Sequence, residues 1–143
     1  MAVWLISSIL TSMSNFGDPN GKLILVVDDE PSALRAVTST LALAGFRAIV
    51  AENGAKGLEA FFAHADEIAL VLTDIVMPVM DGITMADRIK KARPVARILL
   101  MTAYSDGMIG ITGDTDFPLI RKPYLPHHLV GAIQAQLGPE KIA

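Results

Sequence analysis

The chain contains no cysteine. That excludes a disulfide framework, a thiolate metal site and a cysteine nucleophile. Charged residues are scarce, 19% of the 143, and the formal net charge of −3 offers no basic field for nucleic acid. Three histidines occur, His64, His127 and His128, at a spacing that fits no metal-ligand pattern. No apolar run approaches the ~20 residues that a bilayer-spanning helix needs. What is abundant is apolar: 52% hydrophobic residues in a chain of single-domain length, enough for elements buried on every side.

The chain is organised around Leu70 to Gly82. Residues Ala69 to Thr73 form a short, β-branched apolar run of the kind buried on both faces of a parallel sheet. It stops at Asp74, Met77-Pro78 turns the chain, and Asp81-Gly82 opens a helix through about Ala92, with Asp81 as its N-cap. The same strand-then-helix unit recurs. Leu23–Val27 ends in Asp28-Asp29-Glu30, and Pro31 begins a helix with Leu34, Val37, Leu41 and Ala44 on one face and Gly45 as its stop. Arg47–Ala51 is the second strand, Asn53-Gly54 a turn, and Leu58, Phe61, Phe62 and Ala65 the apolar face of the next helix. Arg97–Met101 ends in Thr102-Ala103, and Pro118–Arg121 is followed by Lys122-Pro123. Leu125, Leu129, Ile133 and Leu137 line a last helix, stopped by Gly138-Pro139, whose first turn carries His127 and His128 as solvated residues.

This order predicts an α/β fold: a doubly wound five-stranded parallel sheet, flavodoxin-like in its strand order 2-1-3-4-5, with helices on both faces. The fourth crossover, 104–116, holds three glycines and no clean apolar stripe, so its helix is expected to be short or irregular. Residues 1–21 differ from the rest. They are expected to be an N-terminal extension, frayed or packed through Trp4, Ile6, Ile9 and Leu10, since a secretory signal would need a basic first segment that is missing. The domain proper is 22–138 and the tail 139–143.

In such a sheet the carboxyl ends of the strands share one edge, where ligands bind. That edge collects Asp28, Asp29, Asp74, Thr102 and Lys122. Crowded carboxylates repel and need a counter-charge or a proton. An all-oxygen site with few protein ligands suits Mg²⁺, which keeps waters and takes phosphate oxygens. A lysine is a compact charge for a phosphoryl group, a threonine hydroxyl can donate to it, and an aspartate can accept it covalently. Each member also has a plainer reading. Asp28 and Asp29 could only cap a helix, Thr102 could only end a strand, and Lys122 could be a solvated charge.

Taken together, Val-Val-Asp28-Asp29-Glu30-Pro31, Thr73-Asp74-Ile-Val-Met77-Pro78-Val-Met80-Asp81-Gly82, Met101-Thr102-Ala103 and Arg121-Lys122-Pro123 resemble the receiver domain of two-component response regulators. The resemblance covers 22–138. It implies that Asp74 accepts a phosphoryl group from a histidine kinase or a histidine phosphotransfer protein. Mg²⁺ would be held by Asp28, Asp29, Asp74 and the backbone carbonyl of Val76. Thr102 and Lys122 would bind the phosphoryl oxygens, and Lys122-Pro123 would be cis. A cytoplasmic stand-alone signalling protein follows, with no direct nucleic-acid binding and no membrane span. It would catalyse only its own phosphorylation and dephosphorylation, and act through an unknown downstream protein or by phosphorelay.

Two departures from the family pattern bear on output. Leu119 stands where the family usually has an aromatic residue that rotates on activation, and 104–116 is glycine-rich. The switch is therefore expected at Thr102 and in 104–116, and Val76 with Tyr104 is expected to slow hydrolysis of the phosphorylated form. Among other readings, a receiver detached from a hybrid histidine kinase fits the same residues. An aspartate-nucleophile phosphatase needs a second acid two positions after the first, where this chain has Glu30. A flavodoxin-like carrier needs a phosphate-cradling loop in place of Asp-Asp-Glu-Pro. A pseudo-receiver that only docks partners would not need the intact acidic set.

Overall fold

The computed structural model describes residues 21–103 and 116–138. The expectations for 1–20, for most of 104–116 including Tyr104, and for 139–143 therefore lie outside the described residues. Five strands form one sheet: β1 (Leu23–Val27), β2 (Arg47–Ala51), β3 (Ile68–Asp74), β4 (Ile98–Thr102) and β5 (Leu119–Arg121). Their order is β2-β1-β3-β4-β5 and every pairing is parallel. Helices α1 (Pro31–Leu43), α2 (Gly54–Ala63), α3 (Gly82–Ala92) and α4 (Pro126–Leu137) complete the described elements.

The central strands are continuous apolar runs because both their faces are covered. On one face Leu25, Val27, Val71 and Leu100 pack with Phe61 of α2 and Met85, Ala86 and Ile89 of α3. On the other, Ile24, Val26, Leu72 and Met101 pack with Val37 and Leu41 of α1 and with Leu129 and Ile133 of α4. This is the expected doubly wound arrangement. Alternate side chains of each strand feed the two cores, so the backbone between them is fixed and its carboxyl-end residues are aimed at one edge.

Several boundaries move for physical reasons. Asn53 is an N-cap and not part of a turn: its side chain accepts the Lys56 N–H at 2.8 Å, and Gly54 is already helical. Pro118 lies outside β5, having no N–H to give, although its carbonyl accepts from Leu100 at 2.9 Å. Leu125 precedes α4 and is half exposed. Phe62 points outward while Phe61 is 2% exposed, and Ala44 is exposed beyond the end of α1. Gly45, at φ 91°, follows α1 as expected, and the Lys122-Pro123 peptide is cis.

Candidate functional site at the carboxyl edge of the sheet

Asp28, Asp74 and Thr102 stand at the ends of buried runs, and Lys122 follows the part-buried strand β5. Asp28 follows β1 directly and is 1% exposed. One of its oxygens, Oδ1, accepts the Glu30 N–H at 3.0 Å, and the other, Oδ2, accepts from Lys122 Nζ at 3.1 Å. Asp28 does not cap α1, whose N-cap is Glu30 with no side-chain cap bond; its Oδ1 closes a turn on the Glu30 N–H and its Oδ2 faces the lysine. Asp29 is exposed beside it. Asp74 closes β3, with Oδ1 accepting the Ile75 N–H at 2.8 Å and Oδ2 lying 3.5 Å from Lys122 Nζ.

Carboxylate oxygens of Asp28, Asp29 and Asp74 all lie within 4.8 Å of one another. Two carboxylates at that separation repel by about 3.5 kcal/mol at an effective dielectric near 20. Lys122 answers two of the three, which leaves the cluster with an excess of two negative charges. Three hard oxygen donors with that excess fit a divalent cation of the Mg²⁺ type. Asp74 feels the shortage directly. Burial, and then the neighbouring Asp28, raise its carboxyl above the ordinary range, against the pull of Lys122 and the Ile75 N–H. Burial works against the Lys122 charge, but Asp74 and Asp28 outweigh it and hold its pKa above the usual lysine value.

Thr102 ends β4 at 1% exposure, and its carbonyl accepts the Lys122 N–H at 2.7 Å, so the two are tied through the backbone. Val76 lies in the loop after Asp74, with its side chain 43% exposed. Asp81 is the N-cap of α3, accepting from Thr84 N at 2.8 Å and Thr84 Oγ1 at 3.0 Å, away from the acidic trio. His127 and His128 are exposed, as expected. Two neighbours were not legible as part of the site. Tyr124 lies close enough to the cluster that its hydroxyl, raised chiefly by burial, is affected by Lys122, Asp28 and Asp74. Gly82 lets α3 begin against Asp74 itself: a Cβ there would stand 3.0 Å from the Asp74 carbonyl carbon, and closer still to its oxygen.

Known proteins share this strand order. The family model described as the response regulator receiver domain matches residues 24–134. The chain belongs to this family. The receiver protein CpdR of Brucella abortus (strain 2308) is 32% identical over 120 residues, covering 81% of this chain and 97% of that one. The DNA-binding transcriptional regulator NtrC of Escherichia coli (strain K12) is 38% identical over 84 residues, 59% of this chain. The match spans only 18% of NtrC. A crystal structure of a response regulator receiver domain protein from Clostridium thermocellum superposes with a TM-score of 0.73 at 29% identity, covering 81% of this receiver and 94% of that chain. No helix among the described residues is long and apolar enough to cross a membrane.

Proposed function

We propose that this receiver takes a phosphoryl group onto Asp74 from the phosphohistidine of a histidine kinase or phosphotransfer protein. It signals by altered protein contacts or by passing the group on. The reading places it in the cytoplasm and limits its catalysis to its own phosphorylation and dephosphorylation. The observation that carries it is the pairing of three mutually close carboxylates with Lys122, from the far end of β5, between Asp28 and Asp74.

Asp28, Asp29, Asp74 and the Val76 carbonyl would hold Mg²⁺. When bound, the cation supplies charge that lets an anionic donor approach an acidic pocket. The protein's own groups do the rest. Asp74 Oδ1 is held by the Ile75 N–H, which orients the carboxylate and leaves Oδ2, 3.5 Å from Lys122 Nζ, as the nucleophile. Attack by Oδ2 on phosphorus breaks the bond to the donor nitrogen, or to the acyl oxygen of acetyl phosphate, and that atom leaves with the electron pair. Lys122 then exchanges a carboxylate partner for a phosphoryl oxygen, and the Thr102 hydroxyl donates to another.

Incubation with acetyl phosphate and Mg²⁺ should add one phosphoryl mass to the wild type and none to Asp74→Asn, and EDTA should prevent the gain. A normal gain in Asp74→Asn would assign the acceptor elsewhere.

A further inference from the structure

The loop that leaves Asp74, residues 75–82, is gripped at both ends. At its base the Gly82 N–H donates to the Ile75 carbonyl at 2.7 Å, so the loop closes on itself. At its tip it rests on α2. Gly54, buried in the first turn of that helix, has no Cβ. One placed there would lie 2.8 Å from Met80 Cβ and closer to the Met80 carbonyl oxygen, a backbone atom. Between the two grips the Met80 N–H donates to the Pro78 carbonyl at 2.8 Å, closing a three-residue turn on Val79 at φ 72°. That turn is rare and strained, and a β-branched residue is the least suited to it. Val79 is 81% exposed, so no burial of its own side chain accounts for the conformation. A strained turn persists where its surroundings over-determine it.

The helix on which the loop rests cannot easily retreat. Asn53 caps it through Lys56 N, and one turn on a Cβ at Gly57 would meet Met85 Sδ at 2.6 Å and Val27 Cγ2 at 3.1 Å. A side chain at position 54 would therefore move the loop, not the helix.

We propose that the amino end of α2, through Gly54, is the abutment that sets the loop carrying Val76, and that the Val79 turn holds the loop against it. Gly54 and Val79 are positioning residues for the cation side of the site, acting without touching it. This rests on the Mg²⁺ reading above. Oxygen ligands must converge within tenths of an ångström for Mg²⁺, so a displaced loop lowers affinity for the ion while leaving the Asp74 carboxylate, fixed by β3, able to react.

The test titrates Mg²⁺ alone into apo protein, followed by amide NMR shifts, with melting in EDTA and acetyl phosphate rates run in parallel. Gly54→Ala should weaken Mg²⁺ about tenfold, the lower end of what losing a supporting contact costs a metal site. Its phosphorylation rate at saturating Mg²⁺ should stay within about twofold of wild type, since the nucleophile is held independently. Val79→Gly should melt higher than wild type in EDTA, because the turn is no longer strained, yet bind Mg²⁺ several-fold more weakly. A purely structural role would move both quantities the same way. Gly131→Ala, in α4 with nothing within 4 Å of the added carbon, should raise stability and leave Mg²⁺ affinity unchanged. Wild-type affinity in Gly54→Ala overturns the proposal, and if that variant does not fold, wild-type affinity in Val79→Gly overturns it. A wild type that binds no Mg²⁺ removes the functional reading instead.

Discussion

At Asp74 function and stability oppose each other. The carboxylate is half-buried beside Asp28, shares one lysine with it, and has its pKa raised mainly by burial. A carboxyl that binds its proton more tightly when folded stabilises the fold at low pH, and that contribution is lost as pH rises through the raised value. Without a divalent ion, wild type should therefore lose stability from about pH 4 upward relative to Asp74→Asn. In EDTA at pH 7 the variant should melt a few degrees higher, corresponding to ~1 kcal/mol. Lys122 keeps Asp28 at 3.1 Å in the variant, so no buried charge is stranded. Equal melting curves across that range would mean that neither burial nor Asp28 disfavours the ionised Asp74 carboxylate. Asp28, Asp74 and Thr102 were legible as candidates because each ends an apolar run, where a polar side chain has few plain reasons to sit, and Asp29 and Lys122 because they follow strand ends on the same edge. Tyr124 and Gly54 were not, because nothing in local spacing records an approach through space.

The elements show where periodicity stops being informative. The apolar face expected for α2 was Leu58, Phe61, Phe62 and Ala65, but the helix ends at Ala63 and adjacent phenylalanines cannot both face one core. The fold buries Phe61 against β1, β3 and α3 and leaves Phe62 half exposed, stacked edge-on against Phe61 at 5.6 Å between ring centres. Phe61→Ala should cost about 3–5 kcal/mol, the range for emptying a core site of a ring. Phe62→Ala should cost under about 1.5 kcal/mol, chiefly the edge contact with Phe61. Urea denaturation of the two variants separates them, and similar costs would mean that α2 is rotated. Strand order and helix faces were readable because parallel strands covered on both sides leave unbroken apolar runs. The strand ends shifted by a residue or so. Arg97, assigned to β4, lies just before it, yet its carbonyl still accepts the Val71 N–H at 2.9 Å.

Over the whole molecule, the site is a tie between distant parts of the chain. Asp28 and Asp29 come from β1, Asp74 from β3 at the centre of the sheet, and Lys122 from beyond β5, 94 residues after Asp28. A cation held by the three carboxylates therefore binds the assembled sheet and not the unfolded chain, whose carboxylates are dispersed. Binding to the native state alone stabilises by RT ln(1 + [Mg²⁺]/Kd), which is about 1.4 kcal/mol at ten times Kd and the same again for each further decade. Wild type should show a melting temperature that climbs linearly with log[Mg²⁺] above Kd, by a few degrees per decade for a domain of this size. Asp29→Asn removes the exposed carboxylate, whose loss disturbs no core packing, so its curve should be displaced to higher Mg²⁺ with the same final slope. Adding beryllofluoride, a phosphoryl mimic that on the proposed function needs both the cation and Asp74, should raise the plateau in wild type and Asp29→Asn and leave Asp74→Asn unchanged. A melting temperature indifferent to Mg²⁺ up to tens of millimolar would show that the three carboxylates stay together without a divalent ion.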